Sequence, residues 1–248
     1  MSVSTPAAVW HDIECGGYSA DLPVWRKLAA RRSGPILDVG AGTGRVALDL
    51  ARQGHQVVAL DQDEELLAQL ERRAVRAGST LTPRTVVADA RDFDLQHEFV
   101  LILAPMQIIQ LLGGSGERTR FLQRAAAHLT PGGHVAIALT ERFELYDADA
   151  SAAQRLPLPD VREVSGTVYC SQPTAVRREG ETIVLERRRE TLAPGEDRLV
   201  EQDRVVLDRL TAGRLEREAG AAGLQPAGRV TIPATGDHVG SVVVILDG

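Results

Sequence analysis

The chain has 248 residues, enough for one large α/β domain or two small ones, and 44% of them are apolar, while aromatics at 4% leave the core mainly aliphatic. The formal net charge of -6 lacks the basic surface that neutralising phosphates requires, so no nucleic-acid partner is expected. Its two cysteines, Cys15 and Cys170, are far apart and have no Cys or His at metal-ligand spacing, which argues against both a zinc site and a disulfide framework.

The opening MSVSTPAAVWHDIE has no basic start and carries acids early, so no leader is expected. The longest apolar stretch, Phe99 to Leu112, is broken by Pro105, Gln107 and Gln110 and is too short to span a bilayer. These features predict a cytoplasmic protein with reduced thiols, no membrane partner, and a monomeric or homodimeric state.

In chain order, residues 1–33 read as N-terminal helices that carry the rings of Trp10, His11, Tyr18 and Trp25. From 34 to 141 the pattern alternates. The short apolar runs PILDVG, QVVALD, RTVVAD, FVLILA and HVAIAL are bounded by turn signals and read as buried strands. Helical stripes lie between them: Ala47, Leu50 and Ala51; Leu66, Leu67, Leu70 and Ala74; Phe121, Leu122, Ala125 and Leu129. Asp63 is placed to cap the second of these helices, Gly54 to end the first, and Pro131-Gly132-Gly133 to turn the chain into a fifth strand. Alternating strands and helices predict a parallel sheet with right-handed crossovers and helices on both faces.

Beyond 141 the pattern changes. Residues 142–210 contain three extended runs, GTVYCSQPTAVRR, ETIVLERRRE and LVEQDRVVLDRL, joined at Gly180 and Pro194–Asp197. They read as an inserted antiparallel meander with one polar face. The run Arg187-Arg188-Arg189 reads as a solvated strand face. Residues 211–248 return to the core as a helix over Thr211–Ala222, capped at Gly223, and two strands, GRVTIPA and SVVVILD. The whole chain is thus expected to be a single domain.

The glycine turn after the first strand is the most informative segment. In Asp38-Val39-Gly40-Ala41-Gly42-Thr43-Gly44-Arg45, glycines permit dihedrals that a Cβ blocks and let backbone N–H groups approach a ligand at a helix N-terminus. A dinucleotide turn reads G-x-G-x-x-G; here the third glycine comes one residue early, at Gly44, and Arg45 stands where that glycine is required. Asp61 ends the second strand about 20 residues on, where a carboxylate can accept from both hydroxyls of a ribose. Asp89 follows the third strand.

The run D-V-G-A-G-T-G-R, with the acids at 61 and 89 in this order, resembles class I S-adenosylmethionine-dependent methyltransferases of the small-molecule type. The likeness is carried by residues 18–140 and continues weakly to the C-terminus. It implies a Rossmann-like, seven-stranded, mostly parallel sheet whose last strand is antiparallel, with S-adenosylmethionine as cofactor and a small-molecule methyl acceptor. It implies that Gly40, Ala41, Gly42, Thr43 and Gly44 cradle the ligand beside Asp38, that Asp61 holds the ribose, that Gln62 lines the adenosine, and that Asp89 and the backbone of Ala90 read the adenine. Leu103 begins the segment that borders the transferred methyl in this family.

The same resemblance makes Tyr18-Ser19-Ala20-Asp21-Leu22-Pro23 a lid segment, with Tyr18 against the methionine moiety or the acceptor. The chain lacks the Asn or Asp, two prolines and aromatic of nucleobase amino-methylases, so a nucleobase acceptor is disfavoured. Gln107 and Gln110 are candidates to orient a polar acceptor, and His238 to act as a base near neutrality. The residues 142–210 are expected to cover the acceptor. Two other readings remain at this stage: a nicotinamide-dependent oxidoreductase, and a non-catalytic S-adenosylmethionine-binding protein.

Overall fold

A computed structural model describes residues 4–78, 81–148, 156–236 and 238–248. By internal contacts the chain forms two compact units, residues 1–17 with 143–209, and residues 18–142 with 210–248. Helix α1 (Pro6–His11) and the π-helical turn Asp12–Gly16 belong to the first unit.

The larger unit begins with α2 (Leu22–Ala29) and then alternates: β1 (Ile36–Val39), α3 (Arg45–Arg52), β2 (Val57–Asp61), α4 (Glu64–Arg76), β3 (Arg84–Val87), β4 (Phe99–Ala104), the short α5 (Ile108–Leu111), α6 (Ser115–Ala127) and β5 (Leu129–Leu139). The chain then contributes β6 (Tyr146–Asp147), β7 (Asp160–Val164), β8 (Thr167–Glu179), β9 (Thr182–Leu192) and β10 (Leu199–Asp208) to the other unit. It returns as α7 (Ala212–Ala221), β11 (Gln225–Ile232) and β12 (Ser241–Asp247).

Seven strands form one sheet in the order β11-β12-β5-β4-β1-β2-β3. β1, β2, β3, β4 and β5 pair in parallel, and β12 is antiparallel to both β5 and β11. Successive side chains on a strand point to opposite faces, so β1 and β4 feed two cores. Ile36, Leu101 and Leu103 join Trp25, Val46, Leu50, Leu67 and Leu70 from α2, α3 and α4. Leu37, Val39, Ile102 and Ala104 join Phe121, Leu122, Leu215 and Ala219 from α6 and α7 on the other face. β1 is buried along its whole length, which is why it reads as an unbroken apolar run interrupted only by Asp38.

Local chemistry sets the element ends. Asp63 caps α4 by accepting from the Glu65 and Leu66 N–H groups, and Thr211 caps α7 from the Arg214 N–H. Gly54 and Gly223 take left-handed φ values of 90° and 88° just past α3 and α7.

The antiparallel unit has strand order β10-β9-β8-β6, with β7 also paired to β8. β6 and β7 were not legible in the sequence, because two short strands interrupted by Pro157 and Pro159 carry no clear alternation; part of that stretch, 149–155, lies outside the described residues. The arginine run is less solvated than its composition implies. Arg189 donates to Glu14 of the π-helical turn at 2.8 and 2.7 Å, and its guanidinium lies 5.3 Å over the Trp10 ring. Arg187 pairs with Asp203 at 3.0 Å, while Arg188 is half exposed beside Glu190. Trp10 also meets Tyr169 edge-on at 5.2 Å.

Among the described residues no helix is long and apolar enough to cross a membrane.

In the larger unit, Arg118 of α6 is 1% exposed and donates to both carboxylate oxygens of Glu218 on α7 at 2.7 Å. Removing Arg118 takes the bidentate partner from Glu218 and leaves it the single Arg214 contact at 3.1 Å. Arg118→Ala is expected to lower unfolding stability by about 3 kcal/mol in urea titration, and Arg118→Met with Glu218→Leu to recover much of that loss.

Candidate ligand-binding site

The strand order reverses beside β1, and an open α/β sheet binds its ligands at such a switch point, outside the carboxyl ends of the strands. There the chain leaves β1 through a turn in which Gly40, Gly42 and Gly44 all take positive φ, at 70°, 54° and 91°. An L side chain is strained at those dihedrals. Space forbids one as well: a Cβ on Gly40 would lie 2.3 Å from Ile108 Cδ1, and one on Gly44 would lie 2.6 Å from Leu70 Cγ.

The turn is tied to the next strand. The N–H groups of Gly40 and Ala41 both donate to the Leu60 carbonyl, at 2.8 and 3.0 Å. Asp61 then divides its carboxylate, Oδ2 accepting from the Gly42 N–H at 2.8 Å and Oδ1 from the Asp63 N–H at 3.0 Å. The Asp61 carbonyl in turn accepts from the Ala88 N–H at 3.0 Å, which draws the tip of β3 alongside. A carboxylate offers about four lone pairs, so Asp61 keeps acceptor capacity for a ligand after fixing the loop.

These tips enclose a cleft of about 160 Å³ lined by Gly40, Leu60, Asp61, Gln62, Ala88, Asp89, Ala90, Arg91, Ile108, Leu111 and Leu112. The structure thus brings Gly40, Asp61, Gln62, Asp89 and Ala90 into one concavity. Ala41 and Thr43 are buried in the turn behind it. Leu103 is buried at the end of β4, in register with Asp38 of β1. A larger and shallower groove, lined by Asp94–Glu98, Arg124 and His128, lies at the opposite, amino edge of the strands; there the His128 ring is already bonded to the Leu95 N–H and the Arg124 carbonyl.

Asp38 is 1% exposed, and neither carboxylate oxygen has a hydrogen-bond partner. Burial pushes its pKa up to about 7, against the opposing pull of the Arg45 guanidinium. Arg45 is itself committed elsewhere. It donates to both oxygens of Asp21, at 2.5 and 2.8 Å, and to the Tyr18 carbonyl at 3.0 Å, and lies 5.3 Å over the Tyr18 ring. Asp21 also accepts from Trp25 Nε1 at 2.7 Å. Arg45 at the third-glycine place of a dinucleotide turn is therefore a strut between the glycine loop and the Tyr18–Asp21 segment, a role the sequence pattern alone did not show.

The family model for a methyltransferase domain matches residues 36–133, the stretch that builds β1 to β4, the start of β5 and the strand tips just described. Over that stretch the chain is similar to methyltransferase domains. A ubiquinone biosynthesis O-methyltransferase of Nitrobacter winogradskyi is 31% identical over 43% of this chain and 39% of its own. A dTDP-3-amino-3,6-dideoxy-alpha-D-glucopyranose N,N-dimethyltransferase of Streptomyces fradiae is 31% identical over 48% of this chain and 44% of its own. The matched segments thus span less than half the length of these two relatives. The sugar N-methyltransferase KedS8 of a Streptoalloteichus species shares the fold, with a TM-score of 0.74 and 20% identity over 99% of this chain and 94% of that one.

The other residues singled out in the sequence divide by burial. Gln110 is fully buried, and its amide donates to the Thr140 carbonyl at 3.1 Å and accepts from the Thr140 N–H at 2.8 Å. It clasps the end of β5 in the manner of a backbone pair and is not oriented toward a free acceptor. Gln107 is half-buried and donates to Thr140 Oγ1 at 3.0 Å. Between them and β4, Met106 holds a φ of 56°, uncommon for a residue with a side chain and a mark of local strain at the strand tip. His238 is exposed, and its ring packs 4.8 Å from that of Tyr18. Burial, opposed by a hydrogen bond with Ser241, raises the Tyr18 pKa. Two candidates far apart in sequence, Tyr18 and His238, are therefore neighbours.

The Asp38 carboxyl gives a pH signature. Its folded pKa of about 7 exceeds the ordinary 3.8, so the folded state holds the proton more tightly, and ligand-free stability falls as pH rises through that window. Thermal melting of the ligand-free protein is expected to decline from about pH 4 to about pH 7 and then level off, and Asp38→Asn to flatten the decline and melt higher above pH 7.

Proposed function

We propose that the protein binds S-adenosylmethionine in the cleft at the tips of β1, β2 and β3 and transfers its methyl group to a small-molecule acceptor. The observation that carries this reading is the convergence of Gly40, Asp61 and Asp89 on one cavity, with Asp61 bound to the glycine turn and still able to accept. The residues fit the ligand on a further count. Asp38, buried without a donor two residues before Gly40, is the group that an ammonium on a methionine moiety satisfies.

In this reading Asp61 accepts from the ribose hydroxyls, Asp89 accepts from the adenine amino group, and the Ala90 N–H donates to the ring. The turn from Gly40 to Gly44 brings the backbone close to the chain that bears the sulfur. Leu103 and the strained Met106 close the apolar side near the methyl carbon. Once bound, S-adenosylmethionine supplies a methyl carbon already activated by its sulfonium. The protein's work is then to align an acceptor lone pair in line with the C–S bond, so that the new bond to carbon forms as the electron pair of the old one returns to sulfur. Tyr18 excludes water there, and His238 beside it takes the proton the acceptor gives up. Gln107, through its amide, orients a polar acceptor.

The acceptor is open to N-, O- or C-transfer. By their names, the relatives act on an amino sugar and in ubiquinone biosynthesis, which supports a small polar or phenolic molecule. We assign acceptor choice to residues 142–210, which lie outside the matched stretch 36–133. That Cys15 and Cys170 are not joined in a disulfide fits a reducing compartment such as the cytoplasm.

Calorimetry and thermal shift test the ligand. S-adenosylhomocysteine is expected to raise the melting temperature and NADH to leave it unchanged; the reverse result establishes the oxidoreductase reading instead. Asp61→Ala is expected to weaken S-adenosylhomocysteine by about 10- to 100-fold, the worth of hydrogen bonds to a charged group. Turnover is tested with labelled methyl and a metabolite extract. His238→Ala is expected to cut kcat by about tenfold or more while the affinity for S-adenosylhomocysteine stays within about twofold. Tight binding with no labelled product identifies a non-catalytic binding protein.

A further inference from the structure

Resting on the S-adenosylmethionine reading above, we infer that Arg91 is the positioning residue through which Asp89 selects a 6-amino purine over a 6-oxo purine. The two residues are separated only by Ala90, and both line the cleft with Gly40, Asp61 and Gln62. Arg91 Nε donates to Asp89 Oδ1 at 2.8 Å and to Oδ2 at 3.1 Å, and Nη2 donates to Oδ2. The Arg91 backbone N–H adds a further bond to Oδ1 at 2.8 Å. A guanidinium is a rigid planar fork, so a pair of this kind fixes the plane of the carboxylate as well as its charge. Arg91 is in turn steadied by Glu117 near the start of α6, 3.7 Å away.

The consequence is chemical. Of the roughly four lone pairs a carboxylate offers, Arg91 occupies most, which leaves one accepting direction for a ligand. The Arg91 pair also holds the Asp89 pKa down to about 2, so the group is ionised at every pH the protein meets. An ionised carboxylate can only accept. It matches the amino group of adenine and repels the 6-oxo group of hypoxanthine, which also only accepts. Without the guanidinium, the carboxylate is freer to turn away from the plane in which it meets the amino group.

The test is titration calorimetry of S-adenosylhomocysteine and its 6-oxo analogue S-inosylhomocysteine against wild type, Arg91→Met and Arg91→Lys. Wild type is expected to prefer the adenosyl ligand by about 10- to 100-fold, the scale of a hydrogen bond to a charged group. Arg91→Met is expected to reduce that preference by about tenfold or more, and Arg91→Lys, which keeps the charge but loses the fork, to keep part of it. In an Asp89→Asn background, Arg91→Met should change the preference little, since the two act as one unit. If Arg91→Met weakens both ligands equally, with the ratio preserved, Arg91 only holds the loop and the inference fails. Tighter S-adenosylhomocysteine binding in Arg91→Met also overturns it, because Arg91 is then a competitor for Asp89. Wild type that binds neither nucleoside removes the S-adenosylmethionine reading itself, a result distinct from an unchanged ratio.

Discussion

The site depends on one hydrogen bond more than on any other, that from the Gly42 N–H to Asp61 Oδ2. It joins the glycine turn after β1 to the tip of β2. The same Asp61 accepts from Asp63, which opens α4, and through its carbonyl holds Ala88 at the tip of β3. Three strand ends separated widely in sequence are thereby registered to one residue, two through its carboxylate and one through its carbonyl. Gly40 permits this only because it has no Cβ to meet Ile108. The parallel sheet places the tips side by side; Asp61 sets where their backbone donors point.

Around that joint the charges are arranged unequally. Asp21 is held by Arg45 and Trp25, Asp89 is held by Arg91 and Asp61 by backbone N–H groups with acceptor capacity to spare, while Asp38 is buried with neither oxygen in a regular hydrogen bond. A buried unpaired carboxyl costs stability unless a ligand supplies the missing partner. The larger unit thus carries an uncompensated carboxyl next to the turn where a cationic ligand group would offset it.

Much of this was legible in the residues. The five apolar runs, the Asp63 cap, the early third glycine and the acids at 61 and 89 follow local rules of period, capping and turn chemistry, and β1 to β5, α4 and the shared cleft agree with them. The features that were not legible are long-range pairings. Nothing in the sequence links Arg45 to Asp21, Arg189 to Glu14, or Gln110 to the backbone of Thr140, because a polar residue's partner is chosen by tertiary packing. Gln110 illustrates the point: its composition allowed contact with an acceptor, and burial gave it to β5 instead. The meeting of Tyr18 with His238 also needed the fold, although each residue had been marked singly. The Asp89–Arg91 pair is the exception, since two residues on one turn can reach each other locally, and D-x-R after a strand was a signal open to reading.

The central claim is that the tips at 40–45, 61–63 and 88–91 together form the adenosyl cradle. Amide hydrogen exchange with and without S-adenosylhomocysteine tests it most directly. The account predicts added protection in peptides covering those three segments, strongest at the glycine turn, with the shallow groove around Asp94–Glu98 unchanged. Protection that appears at Asp94–Glu98 and leaves the three tips as they were would contradict it.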